Sequence, residues 1–342
     1  MIIFRCNAGA DIGLGHLMRC RTLANVLYEQ GESNLMVGPP LEYEKSEDQK
    51  IFEKWIPLTK WESSASDSDF LVCLAQKYQA KWLVLDDYRI DEAYQLIIKS
   101  AGLKWLQFDG QANKPLWANI ILNANPSISS QDYEHVLKNK ESELLLGPRY
   151  ALLRKEFAEV SKQDPSSTVR KVLVTFGGGD DRGSNEWVLS TLLEESASDI
   201  IFIVISGATN PSNARLKQWI DKHGKDRVAL YIDPSKLAHF YASCDMAIMA
   251  GGTSTYEAAC CGLPMILITI ANNQIAQSES WHDFGVAIYL GTIEKVTCFE
   301  LKLSFNYLKE NWLQRRKMAK AGMELVSGLG AVEIARSLGC FK

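Results

Sequence analysis

MAIMAGGTSTYEAACCGLPMILITI, residues 246–270, holds an apolar run, a glycine–hydroxyl turn, a helical stretch and a second apolar run. The runs Met246–Met249 and Met265–Ile270 show no polar alternation, so each reads as a strand covered on both faces. Two such strands joined by a helix form a unit of a parallel sheet. Outward from this stretch the pattern repeats, with expected strands at Lys171–Phe176, Ile200–Ser206, Val228–Ile232 and Val286–Leu290. An earlier series covers Ile2–Cys6, Asn34–Val37, Trp82–Asp86, Lys104–Asp109 and Asn119–Asn123, with helical stretches at Leu17–Gln30 and Asp91–Ala101. Gln163-Asp164-Pro165-Ser166-Ser167 is a polar, proline-containing linker between the series.

A chain of 342 residues has room for two domains of ordinary size. The expected fold is therefore α/β, with two doubly wound Rossmann-like domains facing a cleft. The expected division is residues 1–163, residues 164–325, and a C-terminal segment 326–342 whose helix, Ala331–Leu338, packs back on the first domain. In open parallel sheets ligands bind beyond the carboxyl ends of the strands. The Ser/Asp-rich stretch Ser63–Asp69 is expected to be a solvent loop.

Composition narrows the function classes. The net charge of −4 argues against a nucleic-acid partner, whose binders carry a basic face. Residues 1–168 hold 19 Lys and Arg against 23 Asp and Glu, which disfavours docking on an anionic membrane. No apolar run reaches the roughly 18 residues of a membrane span. Met1–Cys6 is too short for a signal-peptide core and reads as the first strand, so a cytoplasmic protein is expected. The eight cysteines include the vicinal pair Cys260–Cys261 but no C-x-x-C, which reads against a zinc site or a disulfide framework.

Three segments carry the chemistry. Gly13-Leu14-Gly15-His16 follows the first strand and opens a helix, where free N–H groups face an anion. It is not a dinucleotide fingerprint, because Met18 holds the last glycine position. His16 is the candidate general base, since imidazole can accept a proton near neutrality. The second segment, Phe176-Gly177-Gly178-Gly179, lets a phosphate or sugar approach the backbone closely. The third is Gly251-Gly252-Thr253-Ser254-Thr255-Tyr256-Glu257, a nest for a diphosphate at a helix start. Glu257, one turn in, is placed to accept the hydroxyls of a ribose. Asn273 and Gln274 follow the next strand and are candidates for sugar hydroxyls or acetamido groups. Asp86, Asp87 and Tyr88 end a strand of the first series.

In combination these blocks resemble the UDP-sugar hydrolases of the pseudaminic acid pathway. Those enzymes are related to spore-coat polysaccharide proteins and to two-domain glycosyltransferases of the GT-B fold. The resemblance runs from Phe4 to about Gly285. It rests on Ile12-Gly13-Leu14-Gly15-His16 with Arg19-Cys20, on Leu85-Asp86-Asp87-Tyr88, and on Leu122-Asn123-Ala124-Asn125. It continues through Gly147-Pro148-Arg149-Tyr150 to Arg154, Phe176-Gly177-Gly178, Gly252–Glu257 and Asn273-Gln274. It implies hydrolysis of a UDP-linked 2,4-diacetamido-2,4,6-trideoxyhexose at the anomeric C–O bond, with His16 as base and UDP on Gly252, Thr253, Ser254, Thr255 and Glu257. Gly13, Gly15, Arg19, Asp87, Tyr88, Asn123, Arg154, Gly177, Gly178, Asn273 and Gln274 are the remaining substrate-binding candidates. No metal and no cofactor is implied. Asn7-Ala8 and Phe108-Asp109-Gly110-Gln111 depart from the family's pattern and bear on the identity of the sugar.

The expected reaction is attack of water on C1, activated by His16, with UDP leaving from the opposite face and configuration inverting. A glycosyltransferase using the same donor site is the main rival. A non-catalytic nucleotide-sugar binder ranks lower. A hydrolysing epimerase needs further acids to remove a proton at C2, and nothing in the sequence clearly supplies them.

Overall fold

The computed structural model describes residues 1–9, 14–58, 60–160, 165–194, 196, 198–224 and 226–341. It divides into two compact units, Met1–Leu153 with Leu329–Lys342, and Arg154–Gly328. The expected boundary at residues 163 and 164 lies outside the described residues.

The first unit is built on seven strands: β1 (Ile2–Cys6), β2 (Asn34–Gly38), β3 (Lys54–Pro57), β4 (Trp82–Asp86), β5 (Trp105–Phe108), β6 (Ile120–Asn123) and β7 (Glu143–Leu146). They form one sheet in the order β3-β2-β1-β4-β5-β6-β7, and every pairing is parallel. The helices are α1 (Gly15–Glu29), α2 (Asp48–Ile51), α3 (Ser64–Lys77) and α4 (Glu92–Ser100). Side chains alternate across the strands and so sort into two cores. Ile2, Phe4 and Cys6 of β1 and Val84 of β4 pack with Leu17, Cys20, Leu23 and Leu27 of α1. Ile3, Leu83 and Leu85 pack with Leu71 and Leu74 of α3 and with Tyr94 and Ile98 of α4. The helix Gly330–Ser337 joins the first of these cores through Ile334 and Ala335. Gly330 is required there, because a Cβ would lie 2.3 Å from the carbonyl oxygen of Ala151.

Ser63–Asp69 is not a solvent loop. Ser63 caps α3, its hydroxyl accepting from the Ser66 N–H at 3.1 Å. Asp67 then turns inward and is buried. It accepts from Arg5 Nε at 3.0 Å, Arg5 Nη2 at 2.8 Å and the Tyr94 hydroxyl at 2.8 Å. The polar composition therefore marks a helix start with an inward carboxylate. The edge strands β3 and β7, absent from the expected set, are short, and each carries exposed or half-buried residues.

The second unit opens with α5 (Lys155–Glu159) and holds β8 (Lys171–Thr175), α6 (Ser184–Leu192), β9 (Ile201–Ser206), α7 (Asn213–His223) and β10 (Val228–Ile232). Then come α8 (Ala238–Ser243), β11 (Met246–Met249), α9 (Ser254–Cys261), β12 (Met265–Thr269), α10 (Ile275–Asp283) and β13 (Ala287–Thr292). Helices α11 (Cys298–Glu310) and α12 (Trp312–Leu325) close the unit, and Gly330–Ser337 is α13. The sheet order is β10-β9-β8-β11-β12-β13, again with parallel pairing throughout. Val172, Val174, Phe202, Val204 and Ile248 face α6 and α11 in the core. Gly262, at φ +68°, ends α9 and donates its N–H back to the carbonyls of Ala258 and Ala259. That left-handed turn suits glycine and lets Leu263-Pro264 lead into β12. Among the described residues no helix is long and apolar enough to cross a membrane.

Candidate functional site

In the first unit the strand ends gather a cluster around His16, the second residue of α1. Its Nδ1 lies 2.6 Å from Asp86 Oδ1. Arg19, one turn further along α1, donates to the same carboxylate from Nε and from Nη2, each at 2.5 Å. Burial pushes the Asp86 carboxyl up. The charge of Arg19 and the hydrogen bonds from His16 and Arg19 outweigh that, and hold it below the usual carboxylate range. Ionised Asp86 is an acceptor only, so the 2.6 Å contact calls for a hydrogen on Nδ1, and in a neutral ring Nε2 is then the acceptor. The Tyr88 ring meets the imidazole edge-on at 4.7 Å between centroids, and Tyr88 is 70% exposed against 6% for His16. His16 is thus a buried imidazole with one exposed ring against it.

Asp86 was not among the expected site residues; Asp87, its neighbour, was. Strand alternation separates the two. Asp86 pairs in register with Cys6, which packs on the α1 face, and Val84 points the same way. Asp87 lies on the Arg5 side. Its carboxylate accepts from Arg89 Nε at 2.9 Å and sits 3.5 Å from Arg5 Nη1. The apolar pattern of Leu83-Val84-Leu85, set beside that of β1, is the signal that assigns Asp86 to His16. Gly13 lies outside the described residues. Gly15 begins α1 with open space where a Cβ would be. Asn123 is buried at the end of β6, donating to the Tyr133 hydroxyl at 2.9 Å and accepting from the Asn125 N–H at 3.0 Å. It braces its own loop and is not joined to His16 by any of these bonds.

In the second unit a pocket of about 280 Å³ opens beyond the carboxyl ends of β8, β9, β10 and β11. Gly177, Gly178, Gly252, Thr253, Ser254, Glu257 and Gln274 line it, together with Gly207, Asp233, Pro234 and Tyr241. The last four were not expected from the sequence. Gly207 presses on Gly178 so closely that a Cβ would lie 2.1 Å from the Gly178 carbonyl oxygen. Gln277 fixes the loop before α9 by donating from Nε2 to the carbonyls of Gly251 and Gly252, each at 3.0 Å. Thr255 is fully buried, donates to the Gly252 carbonyl at 2.7 Å and accepts from Trp281 Nε1 at 2.9 Å. It shapes the nest from beneath and does not line the pocket. Asn273 is exposed in the short 3₁₀ turn Asn272–Gln274 and is likewise outside the lining.

Glu257 lines the pocket from the first turn of α9. Burial pushes its carboxyl up, and the Arg154 charge and the hydrogen bonds of Tyr241 and Arg154 offset this only in part. Arg154 lies 3.5 Å from Glu257, 3.1 Å from Glu156, and donates to the Ser235 carbonyl at 3.3 Å. Its role in the structure is to hold Glu257 and the segment before α8. The amides at the start of α9 are not consumed by side-chain caps, and the helix dipole favours an anion there. Among the described residues no group of three His, Cys, Asp or Glu side chains is arranged to hold a metal ion.

The two sheets define the fold class, two Rossmann-like units of the GT-B type. Acinetobacter baumannii MurG shares it, with a TM-score of 0.71 and 99% of both chains covered at 13% identity. No family model matches the chain. Over 75% of its length the chain is 27% identical to the UDP-2,4-diacetamido-2,4,6-trideoxy-beta-L-altropyranose hydrolase of Campylobacter jejuni, covering 87% of that protein. Over 97% it is 23% identical to the spore coat polysaccharide biosynthesis protein SpsG of Bacillus subtilis, covering 96% of it. It is also 24% identical, over 81% of its length, to an uncharacterized protein of Methanocaldococcus jannaschii, and spans 57% of that relative. The resemblance carried by the sequence blocks is thus met by a relative that bears the name of that hydrolase.

Proposed function

We propose that the chain is a UDP-sugar hydrolase that releases UDP and a free 2,4-diacetamido-2,4,6-trideoxyhexose for nonulosonic acid synthesis. The observation that carries this reading is the His16–Asp86 contact of 2.6 Å, which leaves Nε2 as an acceptor beside an exposed ring. The 27% identity to a hydrolase of such a donor supports the substrate class. His16 Nε2 takes one proton from water as the water oxygen bonds to C1 of the sugar. The C1–O bond to the diphosphate breaks, UDP leaves with the electron pair, and C1 inverts. Amides at Gly252–Ser254 take up the charge that develops on the departing diphosphate. A diphosphate leaves readily without an acid. Glu257 accepts the ribose hydroxyls.

The test is to incubate the protein with the UDP-sugar in H₂¹⁸O, with no acceptor, and follow the anomeric proton by NMR. Inverted free sugar carrying ¹⁸O at C1 is the expected product, and His16→Asn is expected to slow it about 10²–10⁴-fold. Label in the phosphate of UDP would mean P–O cleavage and refute the mechanism. Turnover only after an alcohol is added would make the protein a glycosyltransferase, the name borne by a protein of the same fold from Rickettsia africae.

A further inference from the structure

We propose that Asp86 is a positioning residue which, braced by Arg19, fixes the tautomer of His16 with its hydrogen on Nδ1. The catalytic consequence rests on the function proposed above; the tautomer itself does not. Three contacts carry it. Asp86 Oδ1 meets His16 Nδ1 at 2.6 Å, while Arg19 Nε and Nη2 grip both carboxylate oxygens at 2.5 Å. Arg19 Nη2 also lies 3.1 Å from His16 Nδ1. A guanidinium has no acceptor, so a lone pair on Nδ1 would turn from the carboxylate toward Arg19, and Asp86 Oδ1 would face it without a hydrogen between them. The carboxylate contact is the shorter one, and it requires the Nδ1–H form. Asp86 is fixed in turn, because Arg19 occupies it as a two-pronged fork and Cys20 Sγ approaches Oδ2 at 4.0 Å. Among the described residues, the charged or titratable groups facing this pair are Arg19 and Cys20 from α1 and Tyr88 from the end of β4, with Cys6 of β1 next to Cys20.

Replacing Asp86 by asparagine tests this directly. The Arg19 donors would claim the amide oxygen of Asn, which turns the amide NH₂ toward His16. Nδ1 must then accept, and the ring hydrogen moves to Nε2, the atom needed as base. An inverted tautomer in a His–carboxylate pair lowers turnover by about 10⁴-fold.

The measurement is a long-range ¹H–¹⁵N correlation spectrum of ¹⁵N-histidine-labelled protein at alkaline pH, without substrate. The sequence holds five histidines, so the His16 signals are those missing from His16→Gln, and the other four report that the fold is intact. Wild type is expected to show Nδ1–H, Asp86→Asn to show Nε2–H with the loss in turnover, and Arg19→Gln to keep Nδ1–H with a smaller loss. Nδ1–H retained in Asp86→Asn overturns the inference whatever the activity does. Should that variant not fold, Nε2–H in the wild type overturns it equally. An inverted tautomer with unchanged turnover removes His16 as the base and refutes the proposed mechanism instead.

Discussion

Asp67→Ala separates two pictures of the Ser63–Asp69 stretch by several kcal/mol. An aspartate in a solvent loop can be removed within about 0.5 kcal/mol. In the structure, Asp67 is the bidentate partner of Arg5, whose guanidinium is 2% exposed inside the sheet. Removing one member of a buried pair costs about 3–5 kcal/mol, because the other charge stays in the core. Three contacts remain to Arg5: it donates from Nη1 to the Cys6 carbonyl at 2.6 Å, its guanidinium lies 5.4 Å from the centroid of the Trp61 ring, and Asp87 stands 3.5 Å away. Asp87 is already gripped by Arg89, so its help is partial and the low end, about 3 kcal/mol, is expected. For a unit of this size that is a fall of about 6–12 °C in the melting temperature. Near-ultraviolet circular dichroism on heating reads it, with the triple variant Arg5→Met/Asp67→Leu/Tyr94→Phe as control, in which the buried Tyr94 hydroxyl is not left without its acceptor. The control is expected near wild type, since no charge is left stranded. A fall of less than 1 °C for Asp67→Ala would show that the pair does not hold the core, and would refute the burial argument.

Two further outcomes concern the second unit. The folded state raises the Glu257 carboxyl, so folding favours its protonated form. Its contribution is intact below the ordinary carboxylate range and is lost as the pH rises through the raised folded value. Glu257→Gln is therefore expected to stabilise the ligand-free protein at about pH 7 and change little at about pH 4, while weakening UDP binding. Scanning calorimetry at both values decides it, and an equal shift at both refutes the assignment. Gly207→Ala would set a Cβ 2.1 Å from the Gly178 oxygen, where ordinary contacts begin at 3.4 Å, so one pocket wall must move. Overpacking of that kind costs about 1–3 kcal/mol, and titration calorimetry is expected to show UDP affinity down about tenfold per 1.4 kcal/mol. Unchanged affinity would mean that the displaced wall does not contact the ligand.

Legibility in the sequence followed burial. Strands covered on both faces, such as Ile2–Cys6 and Met246–Met249, are continuous apolar runs and were readable as strands. The four-residue edge strands Lys54–Pro57 and Glu143–Leu146 are partly exposed and mix polar with apolar residues, so no run announced them. His16 was readable because a histidine in a glycine turn at a helix start is chemically distinctive. Its partner was harder to identify, since Asp86 and Asp87 are adjacent acids and only the pleat tells them apart. The pocket residues Gly207 and Asp233 come from loops after β9 and β10 with no motif of their own, and only the shared sheet edge brings them to Gly178 and Gly252.

The chain leaves the first unit at Leu153, builds the whole of the second, and returns at Leu329 to set α13 against α1. On the ribosome, the part made first is therefore completed last. While residues 154–328 emerge and fold, the β1–α1 layer carries an apolar gap where Ile334, Ala335 and Leu338 belong. The first unit is thus complete only once α13 has been made, and until then that apolar surface lies open to other exposed chains.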